Sequence, residues 1–193
     1  MLKKIPHETS AVLLTAAMMS DEALAVLEPN MPPETVLDLL ATAETVLDFL
    51  RFFAHAVPPR EGICWALAVI AAVRPAATTQ ESDALEQVAD WLRDPSETRR
   101  RHCMALGEAL GYNAPIGWLC LAVGWSGAGS IVAPDLPEVM PPVGLHAKAI
   151  FGATALCLPD RAEARIDAMQ MINDLARKVA AGAWPGLYPE ADG

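Results

Sequence analysis

The stretch ALGYNAPIGWLCLAVGWSGAGSIVAP, residues 109–134, carries no charged side chain and constrains the arrangement of the whole chain. An uncharged run of this length is either a membrane span or the buried centre of a folded domain. A span needs about twenty predominantly apolar residues, whereas only Ile116–Trp125 is compactly apolar and Asn113 and Pro115 dilute the rest. The stretch therefore predicts a buried helix in a domain that does not contact a membrane.

The helix that Pro115 opens has two different faces. One face carries larger side chains at the spacing i, i+3, i+4 and i+7, namely Trp118, Leu121, Ala122 and Trp125. The other face is a stripe of small residues, namely Gly117, Cys120, Gly124 and Gly127. Large side chains anchor a helix against one neighbour and small ones let a second backbone come close, so we expect neighbours on both sides. Tryptophan is also enriched at interfaces, which makes Trp118 and Trp125 candidate contacts to a partner protein.

The rest of the sequence predicts helices and hardly any strands. Of the 193 residues, 53% are hydrophobic and only 6% are aromatic, and prolines recur along the chain. Short connections marked by proline favour an irregular bundle over long coiled-coil helices. We therefore predict an all-α fold, an irregular and partly orthogonal bundle of about seven or eight helices. Residues 1–182 form its single domain, and residues 183–193 form a loosely held C-terminal tail.

Local signals place the ends of several helices. Thr78 followed by Glu81 is the pattern of a capping box at the start of a helix. The segment DPSE at residues 94–97 predicts the next start, with Asp94 as the N-cap and proline in the first helical position. Gly111 predicts the end of that helix, because glycine readily adopts the left-handed conformation found after a last turn.

The N-terminal third contains a repeat. The segment ETVLDLL at residues 34–40 returns as ETVLDFL at residues 44–50. Ten residues advance a helix by about 1000°, so the two copies face different directions and give residues 34–57 a broad apolar surface. That surface is either part of the core or a dimer seam. We expect the helices at residues 60–74 and 115–126 to be the central ones.

The charge of the chain argues against nucleic acid as a partner. The net charge is −10, and residues 1–98 carry six Lys and Arg against fifteen Asp and Glu. An acidic surface repels phosphate groups. The one basic cluster comprises Arg99, Arg100 and Arg101, which we expect to form a solvated face or to pair with acidic side chains. The alternative is a docking patch for a partner protein.

No residue pattern predicts catalysis, a cofactor or a metal site. The segment Gly124–Ala128 approaches the Gly-x-Ser-x-Gly motif, but it ends in alanine and follows a predicted helix where the motif needs a strand. The histidines and cysteines lack the local pairing that zinc ligands usually show. We expect the four cysteines to be free thiols in a reducing compartment and expect no cleaved signal peptide, so the predicted location is the cytoplasm.

Four segments resemble a family of uncharacterised, all-helical bacterial proteins of similar length. They are PPREGICW at residues 58–65, WLRDPS at 91–96, the stretch from GY to WSG at 111–127, and the proline-rich stretch before LHAKA at 145–149. Together these segments cover about residues 58–150. Some members of that family are encoded near type VI secretion components in Gram-negative bacteria, so the resemblance implies a cytoplasmic, non-catalytic accessory role. It supplies no catalytic residues.

Three functions are compatible with these patterns. The first is a non-catalytic protein-interaction domain, an adaptor or chaperone-like accessory of a bacterial secretion system such as type VI, with a protein partner from the same operon. The second is an immunity protein that neutralises a toxin, since an acidic face suits a basic target. The third is an enzyme or small-molecule binder with a pocket near Trp118, Trp125 and His146. The patterns favour a protein that is not an enzyme and leave its oligomeric state open.

Overall fold

A computed structural model describes residues 2–73, 78–127 and 129–187 of the chain. Within these residues there are ten helices and no strand, which confirms the all-α prediction with more helices than the seven or eight expected. In chain order they are α1 (Ala11–Ala17), α2 (Asp21–Leu24), α3 (Pro33–Leu40), α4 (Val46–Ala56), α5 (Pro59–Val73), α6 (Thr79–Arg93), α7 (Glu97–Leu110), α8 (Pro115–Gly124), α9 (Leu145–Ala155) and α10 (Ala162–Ala181). None of the helices in these ranges is long and apolar enough to cross a bilayer.

The additional helices come from breaks in the N-terminal third that hydroxyl side chains help to make. The Oγ of Ser20 caps α2 by accepting a hydrogen bond from the backbone N–H of Ala23 at 3.1 Å. The Oγ1 of Thr45 donates to the carbonyl of Leu40 at 2.9 Å and so satisfies the last turn of α3 before α4 begins. Such side chains compete with the hydrogen bonds of a helix. Apolar periodicity continues across the break after Leu40, so the sequence predicted fewer helices in this region, whereas Ser20 was already a possible break between two short helices.

The two copies of the repeat bury different positions. Leu37 in α3 is 1% exposed, whereas its counterpart Leu47 in α4 is 43% exposed. The carboxylates differ in the opposite sense, because Asp38 is exposed and Asp48 is buried. The break between α3 and α4 lets each copy turn its own apolar face inward. Of the two alternatives for residues 34–57, the structure therefore shows that their apolar side chains belong mainly to the core.

Helix α8 and the central ten residues of α5 are buried. Every residue from Glu61 to Ile70 of α5 is buried, and α8 is buried along its whole length apart from Trp118. At the centre of α5, Trp65 donates its Nε1–H to the carbonyl of Ile172 in α10 at 3.2 Å. Its ring meets the ring of Phe53 edge-on, with 4.7 Å between the centroids. The core thus includes the two helices that the sequence marked as most apolar.

Helix α8 is held between α7 and α9, as its two faces predicted. Gly107 of α7 comes so close that a Cβ atom there would lie 2.9 Å from the carbonyl oxygen of Gly117. The ring of Trp118 lies over Gly152 of α9, where a Cβ would come within 3.1 Å of the ring. Gly117 and Gly124 of the small-residue stripe therefore face α7 and Trp118 packs on α9, whereas Leu121 of the larger face also contacts α7 at Gly107.

The predicted helix ends are confirmed with one correction. The capping box at the start of α6 is complete, and Gly111 ends α7 with a φ of 77°. Helix α7 begins after Ser96, whose Oγ accepts a hydrogen bond from the backbone N–H of Arg99 at 3.3 Å, and the predicted N-cap Asp94 was wrong. Asp94 instead follows the last turn of α6, and its carboxylate bonds to the guanidinium of Arg99.

Packing continues beyond the last helix. Gly182 ends α10 in the left-handed conformation with a φ of 106°. Two residues later, the ring of Trp184 stacks under the guanidinium of Arg60, with 4.8 Å from the guanidinium carbon to the ring centroid. Leu187 is buried in the core. The start of the predicted C-terminal tail is therefore packed, and its remaining residues 188–193 lie outside the described residues.

The close approach of α7 and α8 leads to a test with matched glycine substitutions. We expect Gly117→Ala to lower the free energy of unfolding by about 2 kcal/mol, because its Cβ would collide with the backbone carbonyl of Gly111. Gly62→Ala is the control, since the one close contact of its Cβ would be the end of the Ile150 side chain at 2.8 Å, and its next neighbour, Val57, lies at 3.5 Å. We expect the control to change stability by less than about 1 kcal/mol, because alanine also favours the helix. Urea denaturation measures both, and equal losses would refute the close approach.

Candidate functional site

The arginine cluster at the start of α7 is turned into the protein. Arg100 has no exposed surface. Its guanidinium bonds to both carboxylate oxygens of Glu97, with Nε–Oε2 at 2.6 Å and Nη2–Oε1 at 2.8 Å, and the Nε of Arg101 donates to Oε1 at 2.6 Å. Glu97 precedes these arginines by three and four residues, so the three side chains share one face of the helix. The hydrogen bond from Arg100 is the main reason why the pKa of Glu97 is lowered.

The same two arginines hold the chain that follows α8. The Nη1 of Arg100 donates to the carbonyl of Gly124, and its Nη2 donates to the carbonyl of Ser130 at 2.8 Å. The Nη1 of Arg101 donates to the carbonyl of Val132 at 3.0 Å. Carbonyl groups at the end of a helix lack partners within the helix. The guanidinium groups therefore satisfy the end of α8 and fix the path of the next segment.

That segment also closes on itself, and we call residues 129–143 the clamped loop. The Oγ of Ser130 accepts hydrogen bonds from the backbone N–H groups of Val132 at 3.3 Å and Val139 at 3.1 Å. The N–H of Ile131 donates to the carbonyl of Val139 at 2.8 Å. The start of the loop is thus tied both to α7 and to its own later residues.

The outer part of the clamped loop presents apolar side chains to solvent. Four of them are about half exposed or more, namely Leu136, Val139, Met140 and Val143. Asp135 and Glu138 lie in the same part of the loop and are also exposed. Single exposed apolar side chains are common on protein surfaces, whereas a group of them is typical of an interaction site. A fixed start and an apolar outer part therefore make this loop a candidate binding element.

The two candidate tryptophans belong to an aromatic cluster at the surface. The ring centroids of Tyr112 and Trp118 lie 5.2 Å apart, and those of Trp118 and Trp125 lie 6.2 Å apart. The Nε1–H of Trp118 donates to the carbonyl of Tyr112 at 2.7 Å. Both tryptophans are half-buried and Tyr112 is exposed. The cluster combines core packing on one side with an aromatic edge that a partner can reach on the other.

The structure thus separates the five residues predicted to bind a partner. Arg100 has no surface to offer, so its predicted contact is replaced by the role of holding the clamped loop. Arg99 and Arg101 are partly exposed and are engaged with carboxylates at the start of α7. Contact of Trp118 and Trp125 with a partner stays a prediction, as does contact of Arg99 and Arg101.

A cavity lies between α1, α4 and α9, and its lining includes His55 but neither Trp118, Trp125 nor His146. Its volume is about 340 Å³, and Arg51, His55 and Lys148 are among the residues that line it. We call it the basic cleft. Burial lowers the pKa of His55, and the charge of Lys148 lowers it further. Burial and then the nearby His55 lower the pKa of His146 to about 4, so both imidazoles are neutral at pH 7.

The cysteines and acidic side chains show no arrangement for covalent or metal chemistry in the described part of the chain. Within residues 2–73, 78–127 and 129–187, no three His, Cys, Asp or Glu side chains converge as metal ligands would. All four cysteines are buried, and no disulfide bond joins them within the described residues. Burial raises the pKa of Cys64 and of Cys103 to about 12. A thiol needs its thiolate form to act as a nucleophile, so neither is activated.

These features define a class, an all-helical domain with two central helices and a loop clamped by buried arginine. The chain belongs to a family of unknown function, DUF6931, which it matches over residues 36–180. This confirms the predicted membership of an uncharacterised family, and the match includes α4 and α10, which lie outside residues 58–150 of the sequence resemblance. The association with secretion genes stays a prediction. No curated protein and no solved structure matches the chain.

Sequence reasoning missed the apolar tip of the clamped loop and the basic cleft. The signal for the loop was available, because Leu136, Val139 and Met140 lie in a proline-rich segment, and such segments usually run along a protein surface. For the cleft, the available signal was the i, i+4 spacing of Arg51 and His55, which places both on one helix face. Its third basic group comes from α9, and no pattern in the sequence connects α4 with α9.

Neighbouring arginines provide a test of the clamp. We expect Arg100→Gln to lower the free energy of unfolding by about 3 kcal/mol, because the carbonyls of Gly124 and Ser130 lose their buried charged donor. Arg99→Gln should cost less than about 1 kcal/mol, because its ion pair with Asp94 is exposed. Urea denaturation measures the free energy of unfolding of both variants, which carry the same substitution at adjacent positions.

Amide hydrogen exchange shows whether the lost stability belongs to the loop. In Arg100→Gln the N–H of Val139, which donates to Ser130, should exchange markedly faster than in Arg99→Gln. A clamp role is ruled out if the two variants lose the same stability or if exchange at Val139 does not respond.

The lowered pKa of His146 predicts a pH-dependent stability. The unfolded chain binds a proton near the ordinary pKa of 6.5, whereas folded His146 binds it only near 4. Between these values the unfolded state holds more protons, so the free energy of unfolding falls as the pH falls from about 6.5 to 4. We expect His146→Gln to flatten this fall and His102→Gln, at an exposed site on α7, to leave it unchanged. Denaturant midpoints across that range measure the slopes, and identical slopes would contradict the burial of His146.

Proposed function

We propose that the protein is a non-catalytic interaction domain that binds a protein partner from the same operon through the clamped loop. The observation that supports this function is the combination of a buried arginine holding the start of the loop and four exposed apolar side chains beyond it. Apolar side chains are more stable when they are buried away from water, so a group of them that stays exposed on a fixed loop calls for a functional explanation. Here the fold holds the segment in place and leaves its apolar side chains in solvent.

A held loop binds a partner at a lower entropic cost than a free one. Ordering a flexible segment on binding costs free energy for each immobilised residue, and that cost lowers affinity. In this protein the hydrogen bonds of Ser130 and Arg101 already restrict the backbone before a partner arrives. The prolines of the loop restrict it further, because their φ angles are fixed. The cost of ordering the loop therefore offsets less of the free energy that is gained when Leu136, Met140 and Val143 are buried against a partner.

The charge of the protein indicates the kind of surface that the partner presents. The protein carries a net charge of −10, and Asp135 and Glu138 flank the apolar residues of the loop. Complementary charges speed association and exclude wrong partners. The partner should therefore offer an apolar groove with basic side chains along its rim. Nucleic acid lacks this combination and is repelled by the acidic surface.

Within this class, the specific role comes from the family resemblance. It suggests an adaptor or chaperone-like accessory of a bacterial secretion system such as type VI, working in the cytoplasm. The immunity hypothesis uses the same physical features, since an acidic domain with an apolar loop also suits a basic toxin. The two roles differ in what the bound partner does, and in both of them the clamped loop is the element that binds the partner.

Loop variants test whether this surface binds the partner. We expect the double variant Leu136→Ser/Met140→Ser to recover at least about tenfold less of a same-operon protein than the wild type does, because two buried apolar side chains are worth several kcal/mol at an interface. Ile166→Ser, which replaces an exposed apolar residue of α10, is the matched control and should recover the partner normally. Affinity purification from the native host at native expression, with mass spectrometry, makes the measurement. Equal recovery by all three proteins would refute the loop as the binding element.

Co-expression separates the two roles once the partner is known. An immunity protein restores growth to cells that express a toxic neighbouring gene product, whereas an adaptor leaves growth unchanged and alters the amount of partner that is secreted. The loop variant should lose whichever effect the wild type has. If the wild-type protein produces neither effect, both roles are refuted.

A further inference from the structure

The basic cleft is formed where three helices meet. The end of α1 provides Ala16, Ala17 and Met18, and α4 provides the basic residues Arg51 and His55. Helix α9 completes the cleft with Lys148 and Phe151, which lie three residues apart and so share one face. The cavity volume of about 340 Å³ is at the lower end of the range found for small-molecule sites. The cleft therefore suits a small ligand.

One side of the cleft is positively charged. Arg51 lies over the ring of Phe151, with 4.7 Å from its guanidinium carbon to the ring centroid, and its Nη1 is 3.6 Å from Asp48. That carboxylate is itself occupied by Ser20, which donates its N–H and its hydroxyl at 2.8 Å each. Lys148, in contrast, makes no ion pair with any carboxylate of the described residues. An exposed, unpaired ammonium group thus faces a cavity in a strongly acidic protein.

The other side of the cleft is apolar. The side chains of Ala16 and Ala17, the thioether of Met18 and the ring of Phe151 contribute no charge to the lining. Met18 adopts the left-handed conformation with a φ of 50°, which ends α1 and leaves its side chain 71% exposed. Left-handed backbone costs about 1 kcal/mol for a residue other than glycine. The fold thus holds an exposed apolar side chain at this edge of the cleft in an unfavourable conformation.

We propose that the basic cleft binds a small organic anion that combines one carboxylate with a short apolar chain. The carboxylate lies between Lys148 and Arg51 and accepts a hydrogen bond from the imidazole of His55. The apolar chain lies along Ala16, Ala17 and Met18. This ligand site is separate from the clamped loop, so the proposal does not depend on the proposed partner function.

Charge and polarity both favour this class over inorganic phosphate. Of the two charged side chains that line the cleft, Lys148 alone has no acidic partner among the described residues, which suits a single negative charge. The net charge of −10 also repels a dianion more strongly than a monoanion. Four of the seven lining residues are apolar and offer only dispersion and burial, which phosphate cannot use. The lowered pKa of His55 keeps its imidazole neutral, so it contributes a hydrogen bond without adding a charge that the fold would need to compensate.

Titration of the whole protein with hexanoate tests the proposal. We expect hexanoate to shift the NMR signals of the Met18 methyl group and of the His55 ring in a saturable way, while hexanol and inorganic phosphate at the same concentrations do not. Lys148→Gln should weaken hexanoate binding at least about tenfold, because the carboxylate loses a charge-assisted hydrogen bond. Lys3→Gln changes the net charge equally from outside the cleft and should leave the affinity unchanged. Thermal unfolding of both variants checks that they fold as the wild type does.

Each of the other outcomes overturns the proposal. Absence of saturable shifts with hexanoate shows that the cleft is not a site for this class. Equal binding of hexanol shows that the basic side chains do not recognise the anion, and tighter binding of phosphate shows that the apolar wall is not used. Equal loss of affinity in Lys148→Gln and Lys3→Gln shows that only overall charge matters.

Discussion

The buried guanidinium of Arg100 joins α7, the end of α8 and the loop that follows. Removing such a charge from water costs on the order of several kcal/mol, and a structure tolerates it only where the opposite charge and the hydrogen bonds are complete. Glu97 supplies the charge, and the carbonyls of Gly124 and Ser130 supply acceptors. These bonds require α8 to lie close to α7, which the absence of a side chain at Gly107 permits. Helix packing and electrostatics therefore depend on each other at this point.

The distribution of positive side chains explains how an acidic protein can hold basic sites. Arg100 is internal, and Arg60 donates to the carbonyl of Leu92 while it covers the ring of Trp184. These two positive charges therefore serve within the fold, while acidic side chains outnumber basic ones in the chain as a whole by 24 to 14. A net charge describes the field far from a protein, whereas local fields depend on the few groups nearest a site. For this reason the basic cleft is consistent with an acidic composition.

Local patterns predicted the helices well and the contacts between them poorly. The capping box of α6, the glycine end of α7 and the two-sided packing of α8 followed from neighbouring residues in the sequence. The burial of Arg100 could not be predicted, because its acceptors are backbone carbonyls 24 and 30 residues later, and every residue has one. The break after Leu40 was missed because a threonine bond to a carbonyl leaves the apolar periodicity intact. The basic cleft was missed because it needs α4 and α9 together.

The four buried thiols make the domain a reporter of its own opening. Cys64, Cys103 and Cys120 lie in α5, α7 and α8, and Cys157 follows α9. A thiol reagent reaches each of them only when the surrounding helices separate, because all four thiols are buried. The four labelling rates therefore measure four local opening free energies in the unmodified protein. They would reveal whether the domain opens as one cooperative unit or helix by helix.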